Sequence, residues 1–227
     1  MSIGIIGGGI GGVAAAAAFD KFGVHVTVYE RAHRLQESGA GMMLWPNATR
    51  VLKNLGLLDD IAARSGTTHH FLVRANGGQV LMDIPLGDFD VPALCTRRAD
   101  LLASLQSAVP AERILCGRDF TYLETNKSKI RVHFADGSVA EHDAVVGADG
   151  IRSRVRGQLF GIVEPRYRGY TRLRAPWCLP GRDSACGDAP RHSATLRAVV
   201  AGLGMVTKLL PAALFEHNLR RVYSYEP

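Results

Sequence analysis

Apolar residues in the first part of the chain switch between the spacing of strands and the spacing of helices, which predicts an α/β fold. Ser2–Ile6 is a short β-branched run typical of a buried parallel strand. Residues 13–22 have helical character, and Gly23 ends the helix. Residues 24–30 alternate branched and polar side chains and predict a second strand. Together these pieces predict a right-handed βαβ unit.

The middle of the chain predicts further helices, a hairpin and a β-meander. Residues 47–58 have apolar positions at helical spacing, and Asn-Gly-Gly at 76–78 predicts a hairpin turn. The stretch TRRADLLASLQSAV predicts a helix with Thr96 as its cap and Pro110 closing it. Residues 114–150 predict three or four strands. The expected fold is Rossmann-like, a parallel sheet with helices plus a β-meander.

Charge and periodicity both change in the last third of the chain. Residues 1–150 hold 14 Lys and Arg against 16 Asp and Glu, whereas residues 151–227 hold 13 against 5. The basic residues of that last part form no helical stripe and no series with aromatic residues, so we expect no nucleic-acid partner. We predict a first domain over 1–160 and an incomplete second substrate lobe, truncated or divergent, over 161–227.

The cysteines and the apolar start indicate the cellular setting. The 4 cysteines form neither a CxxC pair nor a metal-binding spacing, so we expect no metal and a reduced, cytoplasmic protein. Glycines interrupt the apolar start, and no basic segment precedes it, which argues against a signal peptide. No apolar run reaches the roughly 20 residues of a membrane span.

The first candidate site is the glycine turn Gly7-x-Gly9-x-x-Gly12, which includes Ile10. Its first glycine permits the tight turn, its second lets phosphate approach the backbone, and its third lets the helix pack closely on the strand. The following helix start offers free N–H groups to a pyrophosphate. Glu30 ends the next strand at close to the expected spacing of about 20 residues, where its carboxylate binds ribose hydroxyls and repels a 2′-phosphate. These residues alone leave NAD and FAD open.

Three further stretches narrow the choice: ERAHRLQESGAGMMLWPNATRVLKNLGLLDDI, TRRADLLASL and DAVVGADGIRSRVR. In this order they resemble the FAD-dependent aromatic hydroxylases, single-component flavin monooxygenases similar to para-hydroxybenzoate and salicylate hydroxylases. The resemblance implies an FAD/NAD(P)-binding first domain and runs from Met1 to about Arg156. It implies that NADPH or NADH reduces FAD and that a flavin hydroperoxide then hydroxylates a small aromatic substrate.

The resemblance also implies roles for individual residues. The three glycines of the turn and Ile10 would hold the FAD pyrophosphate, and Glu30 the adenosine ribose with Arg31 beside it. The Gly39-Ala40-Gly41 segment would pass close to the flavin. Arg98, directly before Ala-Asp-Leu, would reach the cofactor, with Arg97 as the alternative.

The stretch around residue 150 supplies the remaining assignments. Asp149 of the Gly-Ala-Asp-Gly motif would lie near the pyrophosphate and be linked to NADPH use, and Arg152, Ser153 and Arg156 match the rest of that motif. Arg154 falls outside the pattern and is interpreted as a surface charge at a helix start. Phe120 would contact adenine through its backbone.

The later part of the family pattern is mostly missing. Gly187-Asp188-Ala189 is similar to the segment that binds the ribityl chain, but it follows Asp149 too soon for a substrate sheet to fit between them. No catalytic residue is assigned. Two alternatives stay open: a non-catalytic FAD-binding remnant or interaction module, and, less favoured, an NAD-linked dehydrogenase. A homo-oligomer or a completing partner chain would supply the missing half.

Overall fold

The computed structural model describes residues 1–35, 41–75, 77–126, 128–162 and 164–166. Its central sheet has four parallel strands, which are β1 (Ser2–Ile6), β2 (His25–Glu30), β8 (Ile114–Cys116) and β12 (Ala144–Gly147). Their order across the sheet is β12-β1-β2-β8. Helix α1 (Ile10–Lys21) connects β1 to β2. The predicted βαβ unit and the α/β class are therefore confirmed.

The remaining elements form smaller sheets and helices around this centre. In chain order these elements are β3 (Gly41–Leu44), α2 (Pro46–Leu55), α3 (Leu58–Ala63), β4 (Gly66–Thr68), β5 (His70–Arg74), β6 (Val80–Pro85), β7 (Ala93–Arg97), α4 (Arg98–Ser107), a 3₁₀ turn (Ala111–Arg113), β9 (Phe120–Asn126), β10 (Lys129–Phe134), β11 (Val139–His142) and α5 (Arg154–Phe160). The antiparallel meander has the strand order β11-β10-β9. A second antiparallel sheet has the order β3-β7-β4, and β5 and β6 form a hairpin.

Several predicted boundaries are wrong for identifiable reasons. Thr96 does not cap a helix, because it is fully buried in β7 and pairs with Met42 of β3. Helix α4 begins instead at Arg98, and no side chain caps its start. The predicted helix 47–58 is α2 (Pro46–Leu55), which ends before residue 58 because Gly56 caps it in the left-handed conformation with φ 78°. The first helix starts at Ile10 rather than residue 13, directly after the glycine turn.

The predicted hairpin and meander are present, but the strand count is higher than expected. Residues 114–147 hold five strands, β8 to β12, rather than three or four. Strands β3, β4 and β7 were missed altogether, because each has only three to five residues and is recognisable mainly by its partner.

Two hydrophobic clusters hold these layers together. The larger cluster packs α1 and α4 against the parallel sheet, with Ile5, Val13, Val28 and Leu105 almost completely buried. The smaller joins the ends of β1 and β2 to the meander and α5, through Ile6, Tyr29, Phe120, Val132, Phe134 and Val155. The second cluster therefore fixes the meander beside the carboxyl ends of the parallel strands.

A buried polar pair lies next to the second cluster. The Tyr29 hydroxyl and His142 Nε2 are 2.8 Å apart, and His142 Nδ1 is buried with no hydrogen-bond partner. A Cβ on Gly4 would lie 2.7 Å from His142 Cδ2, so the strand packs directly on the imidazole. Burial is the main cause of a lowered His142 pKa; His25 and Lys129 lower it further, and Asp143 opposes them.

This lowered pKa predicts an acid-sensitive fold. Above the unfolded-state value of 6.5, His142 is neutral in both states and its contribution is fully present. As the pH falls below that value, the unfolded chain takes up a proton that the folded protein resists, so the free energy of unfolding falls. Urea unfolding between about pH 8 and pH 5 measures the slope. His142→Gln should flatten it, whereas the exposed-site control His69→Gln, which is not among the groups that shift the His142 pKa, should not; equal slopes in wild type and His142→Gln would contradict the prediction.

Candidate functional site

The turn after β1 is packed so closely that two of its glycines tolerate no side chain. A Cβ on Gly12 would lie 1.9 Å from the Gly7 carbonyl oxygen, well inside van der Waals contact. Gly7 has φ 110°, and a Cβ there would lie 2.4 Å from the Ala148 carbonyl oxygen. The turn therefore brings together the start of α1 and the segment that follows β12.

Gly9 has the opposite surroundings. It is the N-cap of α1 with φ −72°, and among the described residues a Cβ built on it meets nothing within 4 Å. No side chain caps the helix there. The first N–H groups of a helix lack partners within the helix and carry partial positive charge, so this end is open to an anionic group.

Glu30 is held in place by the backbone on both sides of it. Its Oε2 accepts the Gly8 N–H at 2.7 Å, and its Oε1 accepts the Ala32 N–H at 2.9 Å. Each carboxylate oxygen has a further lone pair available for a hydroxyl donor. Glu30 thus both shapes the glycine turn and presents an oriented acceptor beside it.

The turn and Glu30 open into one cavity of about 230 Å³. Four arginines and three carboxylates contribute to its walls, so its charge is mixed. Its lining residues are Ile6, Gly7, Gly9, Tyr29, Glu30, Arg31, Arg118, Asp119, Phe120, Ala148, Asp149, Gly150, Arg152 and Arg154. The structure therefore brings together Gly7, Gly9, Glu30, Arg31, Phe120 and Asp149 of the predicted site.

Asp149 lines the cavity and also binds the start of helix α5, whose N-cap is Ser153. Its Oδ1 accepts the Ser153 hydroxyl at 2.5 Å, and its Oδ2 accepts the Arg154 N–H at 2.6 Å and the Val155 N–H at 3.3 Å. The carboxylate is therefore bound to the cap residue and to the first N–H groups of the helix, while it also faces the cavity.

Arg154 was predicted to be a surface charge, but its side chain also makes hydrogen bonds at the cavity. Its side chain stays half exposed, at 50%, yet its Nη1 donates to Asp119 Oδ1 at 2.9 Å and to the Phe120 carbonyl oxygen. Arg118, Asp119 and this role of Arg154 were missed from the sequence. The available signal was that Arg118 and Asp119 lie in the short connection after β8, at the end where parallel sheets form their sites.

Other predicted residues lie away from the cavity lining. Gly41 pairs with Arg97 in the β3–β7 ladder, and Arg98 begins α4, which packs on α1. Arg97 Nε donates to Asp100 Oδ2 at 2.6 Å. Ile10 and Gly12 are in the first turn of α1, the latter buried.

Some assignments fall where the structure gives no description. Ala40, together with Gly39, lies outside the described residues, as do residues 187–189. Among the residues that are described, no three His, Cys, Asp or Glu side chains cluster as metal ligands. No helix in that part of the chain has the length and apolar character to cross a membrane.

A parallel sheet with a glycine turn, an open helix N-terminus and a strand-end acid defines a dinucleotide-binding domain of the Rossmann type. Residues 1–165 match the family described as FAD binding domain. The chain belongs to this family, and its cofactor is FAD. The NAD-linked dehydrogenase alternative is thereby set aside.

Curated relatives of the chain are ring monooxygenases. It is 35% identical over 184 residues to 6-hydroxynicotinate 3-monooxygenase of Bordetella bronchiseptica, covering 78% of this chain and 48% of that protein. It is 38% identical over 176 residues to 3-amino-4-hydroxybenzoate 2-monooxygenase of Streptomyces cremeus, covering 75% and 44%. The chain thus spans about half the length of these relatives.

A solved structure shares the fold. The crystal structure of Klebsiella pneumoniae HpxO complexed with FAD and uric acid superposes with a TM-score of 0.64 at 27% identity, covering 73% of this chain and 43% of that one. The resemblance to FAD-dependent aromatic hydroxylases is therefore confirmed.

The close contact at Gly12 predicts a large difference between two neighbouring alanine substitutions. Gly12→Ala should lower the free energy of unfolding by about 3 kcal/mol, because the new methyl group meets backbone rather than a movable side chain. Gly11→Ala is the matched control: its Cβ meets nothing within 4 Å, so it should raise stability by about 0.5–1 kcal/mol. Urea unfolding measures both, and similar values for the two variants would refute the packing argument.

Proposed function

We propose that this chain is the FAD-binding part of a cytoplasmic, NAD(P)H-dependent aromatic-ring monooxygenase. The pyrophosphate of FAD would lie on the open α1 start at Gly9, and the adenosine ribose on Glu30 with Arg31 beside it. The observation that carries the proposal is that a side-chain-free helix start and an oriented carboxylate face one cavity. When bound, the flavin supplies the redox chemistry that links a reduced nicotinamide and dioxygen to oxygen transfer onto a ring.

The charge arrangement supports FAD rather than a 2′-phosphorylated dinucleotide at this position. Glu30 is fixed by two backbone N–H groups, so its carboxylate cannot swing away from a ribose placed beside it. A 2′-phosphate there would meet this negative charge directly. The nicotinamide cofactor, NADPH or NADH, would then act as a transient reductant and not occupy the adenosine site.

The flavin end of FAD would be held by residues of the β3–β7 ladder and of α4, which packs on α1. Gly41 and the adjoining Arg97 and Arg98 lie in the β3–β7 ladder and at the start of α4. We assign Arg98 as the cofactor contact, with Arg97 as the alternative. Gly41 has no side chain and so permits a close approach of the ring.

The substrate class proposed is a small aromatic ring that carries polar substituents. The relatives are named for 6-hydroxynicotinate and 3-amino-4-hydroxybenzoate, both of this kind. We propose that the residues selecting among such rings belong to the half of the relatives' length that this chain does not match. A homo-oligomer or partner chain supplying that half completes the proposal, with the domain boundary near residue 160.

The binding step is tested with a substitution that should leave the fold intact. Gly9→Val places a side chain where the phosphate would approach, in space that the protein itself leaves empty. We expect wild-type protein to take up FAD and show flavin absorbance, and Gly9→Val to bind FAD at least about tenfold more weakly, or 1.4 kcal/mol. Gly11→Ala should bind as wild type does. Equal FAD affinity of Gly9→Val and wild type, at matched stability, would rule out this placement.

The oxygenase step is tested by measuring how far NAD(P)H oxidation is coupled to hydroxylation of an aromatic ring. We expect FAD-loaded protein to oxidise NADPH or NADH faster when a polar aromatic ring such as 6-hydroxynicotinate is added, with hydroxylated product detected by mass spectrometry. Peroxide formation measures the fraction of turnover that misses the ring, since an unclosed site leaves reduced flavin open to water. Bound flavin with neither ring-stimulated oxidation nor product, across a panel of such rings, would favour the non-catalytic remnant.

A further inference from the structure

Arg154 connects two walls of the cavity that come from distant parts of the chain. Its guanidinium donates to Asp119 Oδ1 at 2.9 Å and to the Phe120 carbonyl oxygen, on the wall formed by the start of β9. Its own backbone N–H donates to Asp149 Oδ2 at 2.6 Å, on the opposite wall. One residue therefore bonds to both walls.

The wall at residues 117–120 is anchored through its backbone, through the Arg118 side chain, which donates to Asp136 and Ser138, and through burial of Phe120 in the smaller core cluster. Gly117 N–H donates to the Ala32 carbonyl at 2.9 Å, and Arg118 N–H donates to the Glu30 carbonyl at 2.8 Å. The Asp119 carbonyl accepts the Ala135 N–H at 2.8 Å from the meander. These bonds involve backbone groups, whereas the Asp119 carboxylate and the Phe120 carbonyl are both bound by Arg154.

Helix α5 does not depend on Arg154 alone for its position. Gln158, one turn further along, accepts the Leu123 N–H at 2.7 Å and donates to the Leu123 carbonyl at 2.6 Å. Val155 is 4% exposed in the smaller core cluster. The helix therefore keeps contacts with β9 outside the cavity, in addition to the Arg154 bond to the carbonyl of Phe120, the first residue of β9.

We propose that Arg154 is a positioning residue for the adenosine half of FAD, holding Asp119 and Phe120 in the geometry that the nucleotide meets. This inference rests on the proposed placement of FAD in the cavity. If Asp119 and Phe120 are already ordered in the free protein, FAD binding does not have to order them. The contribution of Arg154 therefore appears as a higher affinity for FAD. The Gln158 contacts serve only to dock α5 on β9.

A variant of Asp119 separates positioning from simple attraction between Arg154 and the pyrophosphate. If Arg154 acted only by its charge, Asp119→Asn would strengthen FAD binding, because it removes an anion beside the phosphates. Positioning requires the opposite sign, since the amide gives Arg154 a weaker acceptor. The effects of Asp119→Asn and Arg154→Gln should also be less than additive, because both disrupt one contact.

The experiment titrates FAD into each variant and uses ADP, which carries the adenosine and the pyrophosphate without the flavin, to displace it. Arg154→Gln should weaken FAD and ADP binding by a similar factor, on the order of tenfold. Arg154→Lys should recover part of the loss. The matched control Gln158→Leu should lower the melting temperature while leaving both affinities within about twofold of wild type.

The inference would be overturned if Arg154→Gln bound FAD within about twofold of wild type, or if it lost affinity for FAD but not for ADP. Tighter FAD binding by Asp119→Asn, or additive effects of Asp119→Asn and Arg154→Gln on FAD affinity, would overturn it too. Failure of ADP to displace FAD from wild type would overturn it as well. If Gly9→Val loses FAD affinity while Arg154→Gln does not, this inference alone fails. If Gly9→Val and Arg154→Gln both bind FAD as wild type does, the proposed placement fails too.

Discussion

The contact between Gly12 and the Gly7 carbonyl oxygen is the constraint on which the site depends. A Cβ would lie 1.9 Å from that oxygen, so α1 reaches its position over the end of β1 only because the position is glycine. This seating leaves the helix start at Gly9 facing the cavity. It also brings the turn against Ala148, whose carbonyl oxygen would lie 2.4 Å from a Cβ on Gly7. Close contacts between backbone atoms therefore set the geometry of this turn.

Glu30 links the glycine turn after β1 to the end of β2. By accepting the Gly8 N–H and the Ala32 N–H, its carboxylate joins the turn after β1 to the loop after β2. The same loop receives bonds from Gly117 and Arg118 after β8. A residue interpreted as a ribose ligand is thus also structural, which explains why Gly9→Val tests cofactor binding more cleanly than a change at Glu30.

The parts of the fold that could be predicted from sequence are those specified by local rules. The first strand, its glycine turn and the acid at the end of β2 follow from periodicity and spacing within 30 residues. Thr96 shows the limit: its cap-like position before Arg-Arg-Ala-Asp is overridden by pairing with Met42, far away in the chain. Asp119 and Arg154 lie side by side only because β8 joins β2 and α5 docks on β9, and no local pattern encodes either contact.

The cavity collects the carboxyl ends of all four parallel strands. Gly7 follows β1, Glu30 ends β2, the Arg118–Phe120 segment follows β8, and Asp149 follows β12. Each lies within the part of the chain that matches the FAD-binding family. In the proposed placement, the adenosine and pyrophosphate half of the cofactor would be recognised by groups that this one sheet brings together. Chemistry at the flavin ring depends instead on what surrounds the ring, and that separation is why FAD affinity and ring hydroxylation must be measured as independent properties of this chain.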